Sequence, residues 1–111
     1  MKKCFYLLLV LSASQSGLSQ CVDLFFSEYV EGSSSNRALE IYNPTDTVVD
    51  LNNYILYRYN NGSVTPTDSL LLYGMIDSNG VYVIANPNAN GAILAQADTL
   101  HTITFFNGDD P

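Results

Sequence analysis

The chain has 111 residues and a formal charge of −7, which gives room for one domain and none for a second. Its surplus of carboxylates repels phosphate backbones and anionic head groups, so nucleic acid is excluded as a partner of this domain, and divalent cations are the ions it would attract. Of its two cysteines, Cys4 leaves with the leader described next, so the mature chain can form no internal disulfide and must fold on apolar packing alone.

Residues 1–19 read as a signal peptide. Lys2-Lys3 supply the positive start, and Phe5 to Leu11 form an apolar run too short to span a bilayer. The small residues Gly17 and Ser19 suit cleavage before Gln20, which predicts export to the cell surface or the medium. Leu18-Ser19-Gln20-Cys21 comes close to a lipoprotein box, except that Gln20 is not small. Lipidation of Cys21 and an ordinary soluble amino terminus both stay open, and the mature chain inserts in a membrane only in the first case. Removal of the leader leaves two arginines, Arg37 and Arg58, against eleven carboxylates, a net charge of −9.

The domain then occupies 22–111. Val22 to Val30 is a first strand, rich in aromatic and β-branched residues, and it stops at the polar loop 31–36. The stretch from Leu39 to Leu56 is written like one edge of a β-sandwich: a strand, a proline-broken turn, a short apolar step and a second strand. In Leu39 to Tyr42, Leu39 and Ile41 share one face while Glu40 and Tyr42 share the other, and Pro44 ends the pairing. Asn52-Asn53 turns the chain into a strand from Tyr54 to Asn60. Alternation there puts Tyr54, Leu56 and Arg58 on one face and Ile55, Tyr57 and Tyr59 on the other.

Asn61-Gly62 reads as a tight hairpin turn with positive φ at both central positions. The return strand is Thr67 to Tyr73, started late by Pro66. After a turn at 77–80, Val81 to Ala85 is apolar on both faces and belongs at the centre of a sheet. A short helix near 87–95 is capped by Asn86, with Pro87 in its first turn and Ala89, Ala92, Ile93 and Leu94 as its apolar side. Thr102 to Phe106 is a last strand, left as an exposed edge where the sequence stops. Short, regularly spaced strands with little helix predict an all-β sandwich.

This pattern resembles a lamin-tail domain of the type found in secreted bacterial proteins. The matching pieces, in order, are 27–34 (SEYVEGSS), 39–43 (LEIYN), 49–51 (VDL), 54–56 (YIL), 80–86 (GVYVIAN), 92–98 (AILAQAD) and 106–110 (FNGDD). The resemblance implies an immunoglobulin-like β-sandwich that serves as an accessory module for binding or tethering, with no catalytic residues to carry over. Relatives continue past the last piece through at least one more strand, so the resemblance also implies a fragment. The rival expectation is the amino-terminal part of an extracellular nuclease or phosphoesterase.

Candidate sites follow from the same elements. If Tyr54 and Leu56 point inward, Ile55, Tyr57 and Tyr59 form an outward apolar surface rimmed by Asn60 and Asn61, suited to a protein or a carbohydrate at the cell surface. The plainer alternatives are cross-strand stabilisation or the reverse register with these residues in the core. Asp109-Asp110 offer hard oxygen ligands for Ca²⁺, without the spacing of a known calcium loop; no other cofactor is expected. Glu28 and Glu40 on neighbouring strands imitate a glycosidase pair, but solvation or pairing with Arg37 or Arg58 explains them as well. His101 is the sole histidine, and no nucleophile motif accompanies it. The expectation is a non-catalytic, exported binding or tethering module.

Overall fold

A computed structural model describes residues 22–108. Residues 1–21, with the expected signal peptide and Cys21, and the expected calcium ligands Asp109 and Asp110 lie outside the described residues. Strand β1 (Phe25–Glu31) pairs antiparallel with β2 (Arg37–Tyr42), and β2 pairs antiparallel with β7 (Val81–Ala85). With β8 (Thr99–Leu100) they form a four-stranded sheet in the order β1-β2-β7-β8. The second layer contains two short antiparallel pairs, β3 (Val49–Asp50) with β6 (Met75–Ile76) and β4 (Ile55–Arg58) with β5 (Asp68–Leu71). Backbone bonds stitch these pairs together: the Leu51 N–H donates to Gly74 O (2.9 Å) and the Leu72 N–H to Tyr54 O (3.0 Å).

Alternation closes the sandwich. Ile41, Tyr82 and Ile84 from the four-stranded sheet meet Leu51, Leu72 and Ile76 from the opposite layer, with Ile103 between them. Burying each such aliphatic side chain stabilises the fold by roughly 1.5–3 kcal/mol. The predicted split of β2 is observed, with Leu39 and Ile41 buried and Glu40 and Tyr42 half-buried. Its position differs from the expectation, because β2 lies inside the sheet and β1 forms the edge. β7 is internal, as its composition predicts, with Tyr82, Ile84 and Ala85 buried. Its other face is partly covered: Val83, Ala38 and Val30 share a small hollow of about 110 Å³ with Ile93 from the chain above.

Between β2 and β3 the chain is held by Asn43, which is fully buried. Its Nδ2 donates to the carbonyls of Thr47 (2.8 Å), Ile76 (3.1 Å) and Asp77 (3.1 Å). Its Oδ1 accepts from the N–H (3.0 Å) and the hydroxyl (2.7 Å) of Thr45. One amide thereby satisfies a loop that Pro44 has removed from the ladder.

Two predicted elements are corrected. The helix is a single turn, α1 (Gly91–Leu94), capped by Asn90, whose Oδ1 accepts from the Ile93 N–H (3.1 Å). Asn86 instead closes a separate turn, accepting from the N–H of Ala89 at its carbonyl and of Asn88 at its side chain. The last strand is not Thr102–Phe106. It is β8, which runs parallel to β7 with Ile84 opposite Thr99 and Ala85 opposite Leu100. A parallel neighbour needs a crossover, and the segment carrying α1 supplies it. Residues Thr102–Thr104 form a 3₁₀ turn. His101 Nδ1 accepts from the Ile103 N–H (3.0 Å), and the Arg58 guanidinium donates to the carbonyls of Thr102 (3.4 Å) and Ile103 (3.2 Å). One local partner, His101, and one distant partner, Arg58, thus take backbone groups that a ladder would have used.

Candidate binding face

The register of β4 settles which of its side chains face solvent. Leu56 packs at the margin of the core with Tyr54, while Ile55 is 51% and Tyr57 46% exposed. On β5, Leu71 stands opposite Ile55 and Ser69 opposite Tyr57. Leu71 is 62% exposed, so Ile55, Leu71 and Tyr57 make one outward apolar surface across the pair. The inward set is held from behind. Arg58 lies 3.8 Å from Asp68, its cross-strand partner, and the Tyr54 hydroxyl donates to Asp23 Oδ1 (3.0 Å). That hydrogen bond, with burial and the nearby carboxylate charge, pushes the Tyr54 phenol above its ordinary value. Burial does the same to Tyr82.

The turn beyond β4 has the local geometry expected of Asn61-Gly62. Asn61 has φ 48° and ψ 44°, Gly62 has φ 70°, and the Ser63 N–H donates to Asn60 O (2.9 Å). Glycine suits the second of these positions because it meets no Cβ penalty at positive φ. The hairpin does not close there, however. The loop runs on past Pro66, and Thr67 returns the chain by donating its N–H (2.8 Å) and hydroxyl (3.1 Å) to Arg58 O. Thr67 Oγ1 also accepts from the Asn60 N–H (3.1 Å), which tucks Asn60 inward. Ile55, Tyr57 and Asn61 are therefore exposed, whereas Tyr59 and Asn60 are half-buried. The surface is Ile55, Tyr57 and Leu71, with Asn61 at its turn.

The residues considered for chemistry have structural partners. Glu28 stands opposite Glu40 in the β1–β2 register, and Glu40 Oε1 accepts from the Ser27 hydroxyl (2.7 Å). Neither carboxylate meets Arg37 or Arg58: Arg37 lies over the Phe105 ring at 5.0 Å, and Arg58 takes Asp68. His101 is occupied as the cap of the 3₁₀ turn. Asp98 Oδ2 accepts from the Val83 N–H (2.8 Å), continuing the β7 ladder with a side chain. Among the described residues no group of three or more His, Cys, Asp or Glu could hold a metal ion.

Sequence reading missed the wall opposite β4. Phe26 is 55% and Tyr29 49% exposed on β1, and Tyr29 stacks on Phe106 with ring centroids 4.1 Å apart. With Leu56, Tyr57 and Ile103 they line a cavity of about 240 Å³ between the two layers. An aromatic-rich first strand reads as core; that it forms a sheet edge is a property of topology, which strand composition does not carry.

The arrangement presents apolar and aromatic area without a reactive group assembled on it, which suits recognition by packing. Searches of curated proteins and of solved structures found no match. The family model of the lamin tail domain matches residues 18–110, spanning both layers and the turns between them. That match agrees with the immunoglobulin-like sandwich and with the pieces that carried the resemblance; the chain belongs to the lamin tail domain family.

Proposed function

We propose that this chain is an exported, non-catalytic module that binds or tethers a protein or carbohydrate at the cell surface. Family membership supports the non-catalytic part, since the lamin tail domain is an immunoglobulin-like domain without catalytic machinery of its own. The observation that carries the binding part is the outward set Ile55, Tyr57 and Leu71, held open on β4 and β5 while their neighbours Leu56 and Leu70 pack against the core. Contiguous exposed apolar area of this kind costs solubility and marks interaction sites. The net charge of −9 left after removal of the leader favours solubility, while Ile55, Tyr57 and Leu71 themselves carry no charge.

The test pairs a glycan array and a display library of extracellular peptides with the double variant Ile55→Ser/Tyr57→Ser. Loss of capture with an unchanged circular dichroism spectrum is expected, because removing an anchoring tyrosine from an interface costs about 2 kcal/mol. Capture that survives the double substitution would reject this face.

A further inference from the structure

Consecutive residues from Tyr54 to Arg58, of both faces of β4, form one wall of a longer cleft. Two cavities, of about 200 and 240 Å³, lie end to end along it. The first spans Tyr54 to Leu56 and the second Leu56 to Arg58; they share Phe26 and Leu56. The offset is two residues, or about 7 Å at the rise of a strand, which equals the spacing of side chains i and i+2 on one strand face. Residue numbers rise together on the two walls, from Phe25 to Tyr29 beside Ile55 to Tyr57, so β1 and β4 run in the same sense. A strand antiparallel to one is antiparallel to both.

Both walls are strand edges. Among the described residues, β1 is the terminal strand of its sheet and β4 pairs with β5 alone. An edge of this kind is a template for another strand, and proteins without a use for it blunt or cover it. Here the edge is left beside two apolar cavities at strand spacing.

We infer that this cleft takes an extended segment of a partner protein by strand addition, with apolar side chains at positions i and i+2 and basic residues flanking them. The inference rests on the binding-module reading and names its partner class. Main-chain pairing along β1 supplies affinity, and the two cavities select the alternate side chains. Charge selects the flanks. Glu28 and Glu31 are exposed on β1; Glu28 stands opposite another carboxylate, Glu40, and Arg37, the register partner of Glu31, lies over the Phe105 ring, while Arg58 at the cleft is engaged by Asp68 and two carbonyls. The same acids disfavour a second copy as occupant: antiparallel pairing of β1 with itself about its centre sets Glu28 against Glu28, and like charges opposite each other destabilise a pair.

The probe is a labelled hexapeptide, Lys-Ile-Thr-Phe-Thr-Lys, titrated onto the full chain by fluorescence anisotropy, with amide hydrogen exchange followed over residues 25–31. Saturable capture, slowed exchange in β1 and weakening by added salt are expected. N-methylation of Ile and Phe, or else of both Thr, should weaken capture about tenfold in at least one of the two versions, as loss of a paired N–H demands. Glu28→Lys, at an exposed position, should weaken it too. A permuted peptide with Ile and Phe adjacent that binds equally well, or β1 exchange that stays unchanged at saturation, overturns strand addition. So does a dimer of the chain that excludes the peptide, which would give the cleft to a second copy. If the hexapeptide fails while another ligand is captured in a way that Ile55→Ser/Tyr57→Ser abolishes, strand addition falls and the binding-face reading stands. Failure of both removes both.

Discussion

The two sides of the sandwich are built from similar residues and finished differently. Where β2 and β7 run through the middle of the four-stranded sheet, apolar side chains are closed over and the loop beside them is satisfied by one buried amide, Asn43. Where β1 faces β4, Phe26, Tyr29, Ile55 and Tyr57 are each about half exposed, and cavities remain between the layers. Composition does not distinguish the sides; neighbours do. The closed side holds the fold, and the open side is available for recognition.

Substitutions should separate the two sides, beginning with the closed one. Leu51→Ala or Ile84→Ala leaves a cavity among residues with no exposure, and should cost about 2–5 kcal/mol, read as a lower thermal midpoint. Asn43→Ala strands three carbonyls and the Thr45 N–H; a loss of about 1–3 kcal/mol is expected in urea titration. Asn90→Ala removes the cap of α1 and should cost about 1 kcal/mol. If an open-side substitution proved as costly as Leu51→Ala, the comparison would fail.

Alkaline pH tests the margin between the two sides. The phenols of Tyr54 and Tyr82 are raised in the fold above their ordinary value of 10.0. Folding therefore favours their neutral forms: the contribution is complete below that value and is lost as pH rises through the raised ones. Stability should fall above pH 10, and less steeply in Tyr54→Phe, which has no proton to lose there. An identical alkaline profile for the two proteins would break the assignment. The smallest effect on stability is expected of Tyr57→Ser, within about 0.5 kcal/mol, because its side chain faces solvent.

Much of this was legible in the sequence where a local rule decides the outcome. The period of two in β2 and β4 put Leu39 with Ile41, and Ile55 with Tyr57 on the face opposite Leu56. The reverse register of β4 stayed open until burial decided it, and Asn61-Gly62 announced its own backbone. Failures came where a distant partner decides. Thr102 to Phe106 alternates like a strand, yet Arg58 and the His101 ring take its backbone groups. Asn86 and Asn90 are both good caps; the chain places α1 after the second, where Asn36 Oδ1 accepts from the Asn90 N–H (2.8 Å). Tyr59 and Asn60 were read as displayed because alternation was extended past Arg58, where β4 ends and the loop folds back on Thr67. The cleft wall on β1 required knowing that this strand has a neighbour on one side.

The most direct measurement takes one preparation each of the unaltered chain, Ile55→Ser/Tyr57→Ser and Leu51→Ala, and records the urea midpoint beside ligand capture. The account predicts that the double variant keeps its midpoint and loses capture, while Leu51→Ala loses its midpoint. A double variant that unfolds as early as Leu51→Ala, or one that still captures ligand, would contradict it.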